Sequence, residues 1–412
     1  MDSQAFEWIR FGSQSSRRSR RFLQVLQGTR QLIEPATCSQ RLVRIKYPVM
    51  ASLPQTATSV SLFTPLALRG VTLRHRIVVS PMCQYSSEDG FATNWHLVHL
   101  GSRAVGGAAQ VTVEMTAVSP EGRITPYCLG IWKDEHIPKL SEIASFIEAQ
   151  GAVAAIQIAH AGRKGSCRRP AEGATVLAES EGGWRTLAPS PIPFRPADGV
   201  PHELTVDQIA KIIAAFAAAA RRAVAAGFKL IEIHGAHGYL LNEFMSPLAN
   251  QRSDQYGGSF ENRIRITLEV IRAVRVVIPA EMPLSMKISA VDWADGGWSI
   301  EDSVRLAIEA KKAGVDLIVC SSGNVVAHQK VEFTPGFQVP FAERVKRNAG
   351  IPTGAVGLIT QPGQANEIIE AEKADLIVMA REFLRDPYFP LHAAKALGVK
   401  VAFPRQYTPA YV

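Results

Sequence analysis

The sequence predicts a single (β/α)8 barrel, an α/β fold, and three observations carry that prediction. From Leu62 onward, eight short runs rich in Val, Ile and Leu alternate with amphipathic stretches. Continuous apolar runs suit strands buried on both faces, and strand–helix alternation means a parallel sheet. The chain has 412 residues, enough for a barrel of about 250 residues with insertions. The alternative, an open doubly wound sheet, normally shows a Gly-x-Gly-x-x-Gly turn after its first strand. Here the first strand leads into Ser80-Pro-Met-Cys83 instead.

The eight strands are expected at 76–80, 110–114, 153–158, 230–234, 284–289, 317–320, 353–356 and 376–379. Helices are expected over 136–150, 205–226, 260–278, 300–313, 341–348, 361–371 and 390–397. Thr205-x-x-Gln208 opens one of them with a capping-box pattern. Two additions decorate the barrel. Residues 62–73 read as a hairpin before strand one, placed to plug the barrel bottom. Residues 160–204 form a long Pro/Gly-rich insertion after strand three. A loop of that length is usually functional, often a lid; the plain alternative is a surface excursion.

Composition narrows the function classes. The chain is 47% hydrophobic and 20% charged, a globular balance. No run of 18 apolar residues is present, so no transmembrane helix and no membrane partner are expected. The net charge of +8 suggests nucleic acid until it is located. Residues 1–50 hold nine Lys/Arg against three Asp/Glu, leaving the body only +2. A nearly neutral body does not form a nucleic-acid surface. The five cysteines are scattered and include no Cys-x-x-Cys pair, which argues against zinc, iron–sulfur and a disulfide framework.

Residues 1–60 read as a basic extension separate from a barrel body at 61–412. Arg17, Arg18, Arg20 and Arg21 cluster in a Ser-rich, acid-poor stretch resembling a mitochondrial or chloroplast transit peptide. The plain alternatives are a solvated tail or an upstream start, with Met50 as a second start. A transit peptide would direct the protein to the chloroplast or mitochondrion; otherwise it is expected in the cytoplasm.

Catalytic groups of a barrel sit at the C-terminal ends of its strands. Strand one ends in Ser80-Pro-Met-Cys83-x-Tyr85, and strand two in Glu114-Met115-Thr116. Strand three carries Gln157 and strand five Lys287. Strand four ends in His234-Gly-Ala-His237-Gly-Tyr239. Strands six to eight end near Gly323, Gly357 and Ala380-Arg381. The last group suits a phosphate: glycines let backbone N–H groups approach an anion, and Arg381 adds a fork of donors. Taken singly, each glycine is a plain turn residue and Arg381 a surface ion-pair partner.

His234 and His237 are three residues apart. In a turn, both rings face one side and can grip a single developing oxyanion. Tyr239 can present a phenol, protonated at neutral pH, as general acid to the same ligand. A metal pair or packed core histidines remain alternatives, although no third ligand accompanies the pair. Cys83 suits contact with a cofactor better than nucleophilic work, because nothing identifies a dedicated base.

Taken together, Ser80-Pro-Met-Cys-Gln-Tyr85, Gly122-Arg-Ile-Thr125, Gln157-Ile-Ala-His-Ala-Gly-Arg163, His234-Gly-Ala-His-Gly-Tyr-Leu240, Tyr256-Gly-Gly-Ser259, Glu261-Asn-Arg263 and Arg381 with Asp386-Pro387 resemble the old yellow enzymes. Cys83 and the short barrel resemble the thermophilic-like branch. The resemblance runs from about 61 to 407. It implies an FMN-dependent ene-reductase that passes hydride from NADPH to the C=C bond of α,β-unsaturated aldehydes and ketones. By resemblance, Ser80, Pro81, Met82 and Cys83 line the flavin, Met115 and Gln157 contact its ring, and Lys287 supplies a cation. Gly323, Gly357, Ala380 and Arg381 hold its phosphate. Cys83 tunes its potential. His234 and His237 polarise the substrate carbonyl, Tyr85 helps bind it, and Tyr239 donates the proton.

Alternative readings keep the flavin but use a quinone, nitro compound or oxygen as acceptor, or replace the enzyme by a flavin-free barrel lyase acting on a phosphorylated substrate. Several positions depart from the family pattern. Lys287 stands for arginine, Ala380 for glycine, and Met115 for a smaller residue. The tail at 406–412 lacks the arginine that relatives extend into a neighbouring subunit, so a homo-oligomer stays open but without that shared-site arginine.

Overall fold

The computed structural model describes residues 60–411. Eight parallel strands close into a barrel: β1 (Ile77–Val79), β2 (Gln110–Ala117), β3 (Val153–Ala159), β4 (Leu230–Gly235), β5 (Leu284–Ser289), β6 (Leu317–Ser321), β7 (Thr353–Ala355) and β8 (Leu376–Met379). Each pairs with its sequence neighbour, and β8 closes on β1 through Val378 and Val78. The expected strands are all present, several ending a residue or more from their sequence limits.

Side chains alternate across a strand, and in β4 this separates two environments. Ile231 and Ile233 pack in the main core with Ile212 and Phe216 of the helix Val206–Ala225. Leu230 joins a second cluster with Leu317, Val319, Leu376 and Val378. Leu68 and Leu73 of the hairpin belong to that cluster, so the hairpin Leu66–Leu68/Val71–Leu73 seals the lower end of the barrel. Burying each leucine stabilises this seal by about 1.5–3 kcal/mol. Further along the strands the same inward positions become polar: Glu232 and His234 on β4, Lys287 and Ser289 on β5, Ser321 on β6.

The expected capping box at Thr205 forms. Thr205 Oγ1 accepts from Gln208 N at 3.2 Å, and Gln208 Oε1 accepts from Thr205 N at 2.8 Å. The single helix expected over 260–278 divides at Ile264 into Phe260–Arg263 and Arg265–Val277. One barrel helix, Asn94–Val105, had no sequence signal. His96 Nδ1 accepts from Thr93 N at 3.0 Å, doing the work usually given to Glu or Gln at that position.

The insertion 160–204 is not structureless. It contains short helical turns and a two-stranded parallel pair, Leu187–Ala188 with His202–Glu203. Two buried arginines tie it down. Arg252 donates to the carbonyls of Pro189 (3.0 Å) and Leu204 (2.6 Å), and Arg163 donates to that of Ile192 (2.9 Å). Among the described residues no helix is long and apolar enough to cross a membrane. The basic extension lies outside the described residues except at Val60.

Candidate active site

A cavity of about 350 Å3 opens at the C-terminal ends of the strands. Ser80 and Pro81 enter it from the end of β1, Lys287 from β5, Ser321 and Ser322 from the end of β6. Gly357, Ala380 and Arg381 form the wall beyond β7 and β8. Gly357 has φ 109°, and a Cβ there would lie 2.9 Å from Gln338 Nε2. Only glycine fits that backbone path. Ala380 has φ −109°, outside the left-handed region that favours glycine. Arg381 is exposed on this wall and makes no hydrogen bond or ion pair among the described residues.

Five expected cofactor residues, Met82, Cys83, Met115, Gln157 and Gly323, do not line this cavity. Gly323 has φ 71°, but its open side faces Gln329 and Trp293; its neighbours Ser322 and Asn324 line the wall instead. Met82 packs against the main core. Conversely, Gln338 and Arg385 line the cavity without having been singled out from sequence. Both lie on or beside helices, whereas the sequence reading weighed strand ends. Arg385 did carry a signal, standing one helical turn after Arg381.

His234, His237 and Tyr239 meet beside the cavity. The His234 ring makes edge-on contacts with His237 (centroids 5.1 Å, 89°) and with Tyr239 (5.1 Å, 81°). His234 Nδ1 accepts from Ala236 N at 3.2 Å, so a neutral ring carries its proton on Nε2 as a donor. Burial pushes the His234 pKa well below the usual histidine range, and His237 down to about 3. Both rings are therefore neutral at physiological pH. His237 has φ 62°. Its Nε2 lies 2.7 Å from Ser321 Oγ, and its backbone N donates to Ser289 Oγ at 2.9 Å. Gly238 follows with φ 70°, where a Cβ would come within 2.1 Å of the Asn324 carbonyl oxygen.

Burial raises the Tyr239 pKa well above its ordinary value, so the phenol keeps its proton. Tyr239, Tyr85 and Cys83 pack on one apolar cluster with Met115, Ile124 and Cys128. Burial, then Glu114, pushes the Cys83 thiol up, leaving no thiolate for nucleophilic work. Gln157 Nε2 donates to Glu232 Oε1 at 2.7 Å, and Lys287 Nζ donates to Ser80 Oγ at 2.9 Å. Above the trio, Lys164 of the insertion donates to the carbonyls of His237 (2.8 Å) and Asn324 (3.1 Å) and lies 5.3 Å from the Tyr239 ring centroid. Among the described residues no group of three or more His, Cys, Asp or Glu could hold a metal ion.

Comparison with known proteins agrees with this arrangement. Residues 61–399 match the model of the NADH:flavin oxidoreductase / NADH oxidase family. The chain belongs to this family. NADPH dehydrogenases of Geobacillus sp. (strain WCH70) and Bacillus pumilus (strain SAFR-032) are 50% and 51% identical to it. They match over 84% and 85% of this chain and 97% and 99% of their own lengths. Morphinone reductase, an old yellow enzyme, superposes with a TM-score of 0.70 at 25% identity, covering 85% of this chain and 93% of its own. A 2-naphthoyl-CoA reductase superposes at 0.73 and 25% identity, but this chain spans only 52% of it.

The NADH:flavin oxidoreductase family works with FMN, and the residues present fit that group. The cavity joins a glycine-shaped wall and the unpaired Arg381, suited to a phosphate, with Ser80 and Lys287, suited to the polar edge of a planar ring. As a family member the protein is an FMN-dependent flavin oxidoreductase of the old yellow enzyme type.

Proposed function

We propose that this protein is an NADPH-dependent ene-reductase acting on α,β-unsaturated aldehydes and ketones, with Tyr239 as proton donor. The observation that carries the reading is the 5.1 Å approach of two side chains with complementary work, the His234 imidazole and the Tyr239 phenol. Bound FMN would supply the hydride. The protein supplies orientation, charge stabilisation and the proton.

In this reading Arg381, Gly357, Ala380 and Gly323 belong to the phosphate region, while Ser80, Pro81, Met82, Cys83, Met115, Gln157 and Lys287 surround the ring. As a hydride reaches the β-carbon of an enone, negative charge gathers on its carbonyl oxygen. The neutral Nε2–H of His234, aided by His237, stabilises that oxyanion by hydrogen bonding in a water-poor site. Tyr239 then protonates the α-carbon. Tyr85 helps bind the substrate. Residues 1–60 precede the family match, and we place them outside the catalytic body, with 1–49 as a targeting segment. Removal of the residues before Met50 should leave activity intact.

The test is anaerobic. Purified protein should be yellow and release FMN on denaturation. NADPH should bleach it, and cyclohexenone should restore the colour. Recovery with quinones, nitro compounds or oxygen but not with cyclohexenone would overturn the ene-reductase reading and favour another acceptor.

A further inference from the structure

We propose that Glu232 is a positioning residue of the cofactor site, fixing the Gln157 amide and holding the charge of Lys287. The three residues lie on adjacent strands β3, β4 and β5. Gln157 pairs in register with Glu232, and Lys287 with His234, one inward position above Glu232. All three are buried. The proposal rests on the family's use of FMN and adds a residue to which the functional reading gives no role.

The amide comes first. Gln157 Nε2 donates to Glu232 Oε1 at 2.7 Å. A carboxylate only accepts, so the amide nitrogen turns toward it and the amide oxygen turns away. Without that partner both orientations of the amide become open, and the fixed donor–acceptor pattern at Gln157 is lost.

The charge comes second. Lys287 Nζ donates to Ser80 Oγ at 2.9 Å, and both residues line the cavity. The groups facing this ammonium are Glu232 and the two histidines from β4 and its following turn, and Cys83 from the segment after β1. The histidines are neutral and the Cys83 thiol is held protonated. Glu232 is thus the only carboxylate acting on Lys287 among the described residues. Burial pulls the lysine pKa down, and Glu232 opposes that pull. The same burial pushes Glu232 up, and Lys287 opposes it, followed by Gln157. A buried lysine surrenders its proton readily, unlike an arginine. This site has a lysine and therefore needs its counter-charge.

The experiment uses FMN-loaded protein and two readouts besides turnover. One is FMN affinity, from quenching of flavin fluorescence by apoprotein. The other is the midpoint potential of the bound flavin between about pH 6 and 9, a window approaching the ordinary lysine pKa. Glu232→Gln should weaken FMN binding roughly tenfold, the scale of one lost charge-assisted hydrogen bond. Its potential should also fall more steeply with pH than wild type, as Lys287 loses its proton. Adding Lys287→Arg should restore the shallow slope, because a guanidinium stays charged throughout. Glu232→Asp keeps the charge but shortens the reach, so it should weaken FMN binding while keeping the wild-type slope. Wild-type affinity and slope in Glu232→Gln would overturn the proposal, as would a steep slope in Glu232→Asp or in the double variant. Failure of the wild-type protein to bind FMN would instead defeat the cofactor assignment itself.

Discussion

His237 Nε2 sits 2.7 Å from Ser321 Oγ, joining the end of β4 to the end of β6 across the intervening β5. This bond and the one from its backbone N to Ser289 hold His237 at φ 62°, a conformation costing about 1–3 kcal/mol for a non-glycine residue. The ring nitrogen used by Ser321 orients the imidazole against His234. Ser321→Ala should release the ring and weaken binding of a phenolic ligand, an enolate mimic, by roughly fivefold, the scale of one neutral hydrogen bond. Titration of the flavin absorbance with the phenol measures it, and an unchanged affinity would contradict the orienting role. His234→Ala should cost more, because it removes a donor rather than its support.

Tyr239→Phe separates proton donation from the rest of the reaction. The phenol is held protonated by burial, and general acids typically contribute about 10²–10⁴-fold. Reoxidation by cyclohexenone should slow by that order. Reduction by NADPH should change little, and so should turnover of a quinone, which needs no proton on carbon. Stopped-flow measurement of both half-reactions checks this. Equal slowing of the two would refute the assignment.

The barrel was legible because buried parallel strands write continuous apolar runs and strand ends carry polar residues. Reading those ends brought Ser80, Lys287, Gly357 and Arg381 to one cavity. The approach of His237 to His234 was also legible, from their spacing of three. What stayed hidden came from elsewhere. Gln338 reaches the cavity from the start of a helix. The helix Asn94–Val105 uses histidine in a capping role usually filled by an acid or amide. Glu232 was invisible because an inward carboxylate in a strand gains meaning only from its cross-strand neighbours, Gln157 and Lys287. At Gly323 the positive φ sets the backbone against Gln329 and Trp293, and it is the neighbouring Ser322 and Asn324 that line the cavity.

Stability should peak near neutrality and fall on both sides. His75, His96, His99, His136, His160 and His234 are buried, and desolvation lowers the pKa of each, to about 3 for His75 and His99 and about 4 for His96 and His160. Below about pH 6.5 the unfolded chain takes up protons that the folded chain refuses, so stability falls with falling pH. Glu114 and Glu243 behave oppositely, burial pushing both up to about 8. From about pH 4.5 to 8 the folded chain keeps protons that the unfolded chain releases, so stability falls with rising pH. With His237 there are seven such histidines, against four carboxylates raised by burial once Glu232 and Asp292 are included. The histidines dominate on the acid side, and the carboxylates prevail above the histidine range. Melting temperatures across pH should show a maximum between about pH 6 and 7. Glu114→Gln should flatten the alkaline flank, and an unaltered flank would show that Glu114 does not titrate there.

Arg381 faces the cavity with no protein partner among the described residues. Arg385, one helical turn further, lines the same wall while paired to Glu382. A free guanidinium beside a glycine-shaped wall should serve a phosphate through two parallel hydrogen bonds. Arg381→Met should therefore raise the FMN dissociation constant by about 10–100-fold, the scale of a charged hydrogen bond. Riboflavin, which has the ring but no phosphate, should bind the variant and the wild type alike. Arg381→Lys should fall between them, keeping the charge but losing the fork. Arg385 already has a carboxylate partner, so Arg385→Met should cost less than Arg381→Met. Fluorescence titration of apoprotein with both flavins decides the matter. Equal losses for FMN and riboflavin would move Arg381 from the phosphate to the general architecture of the wall.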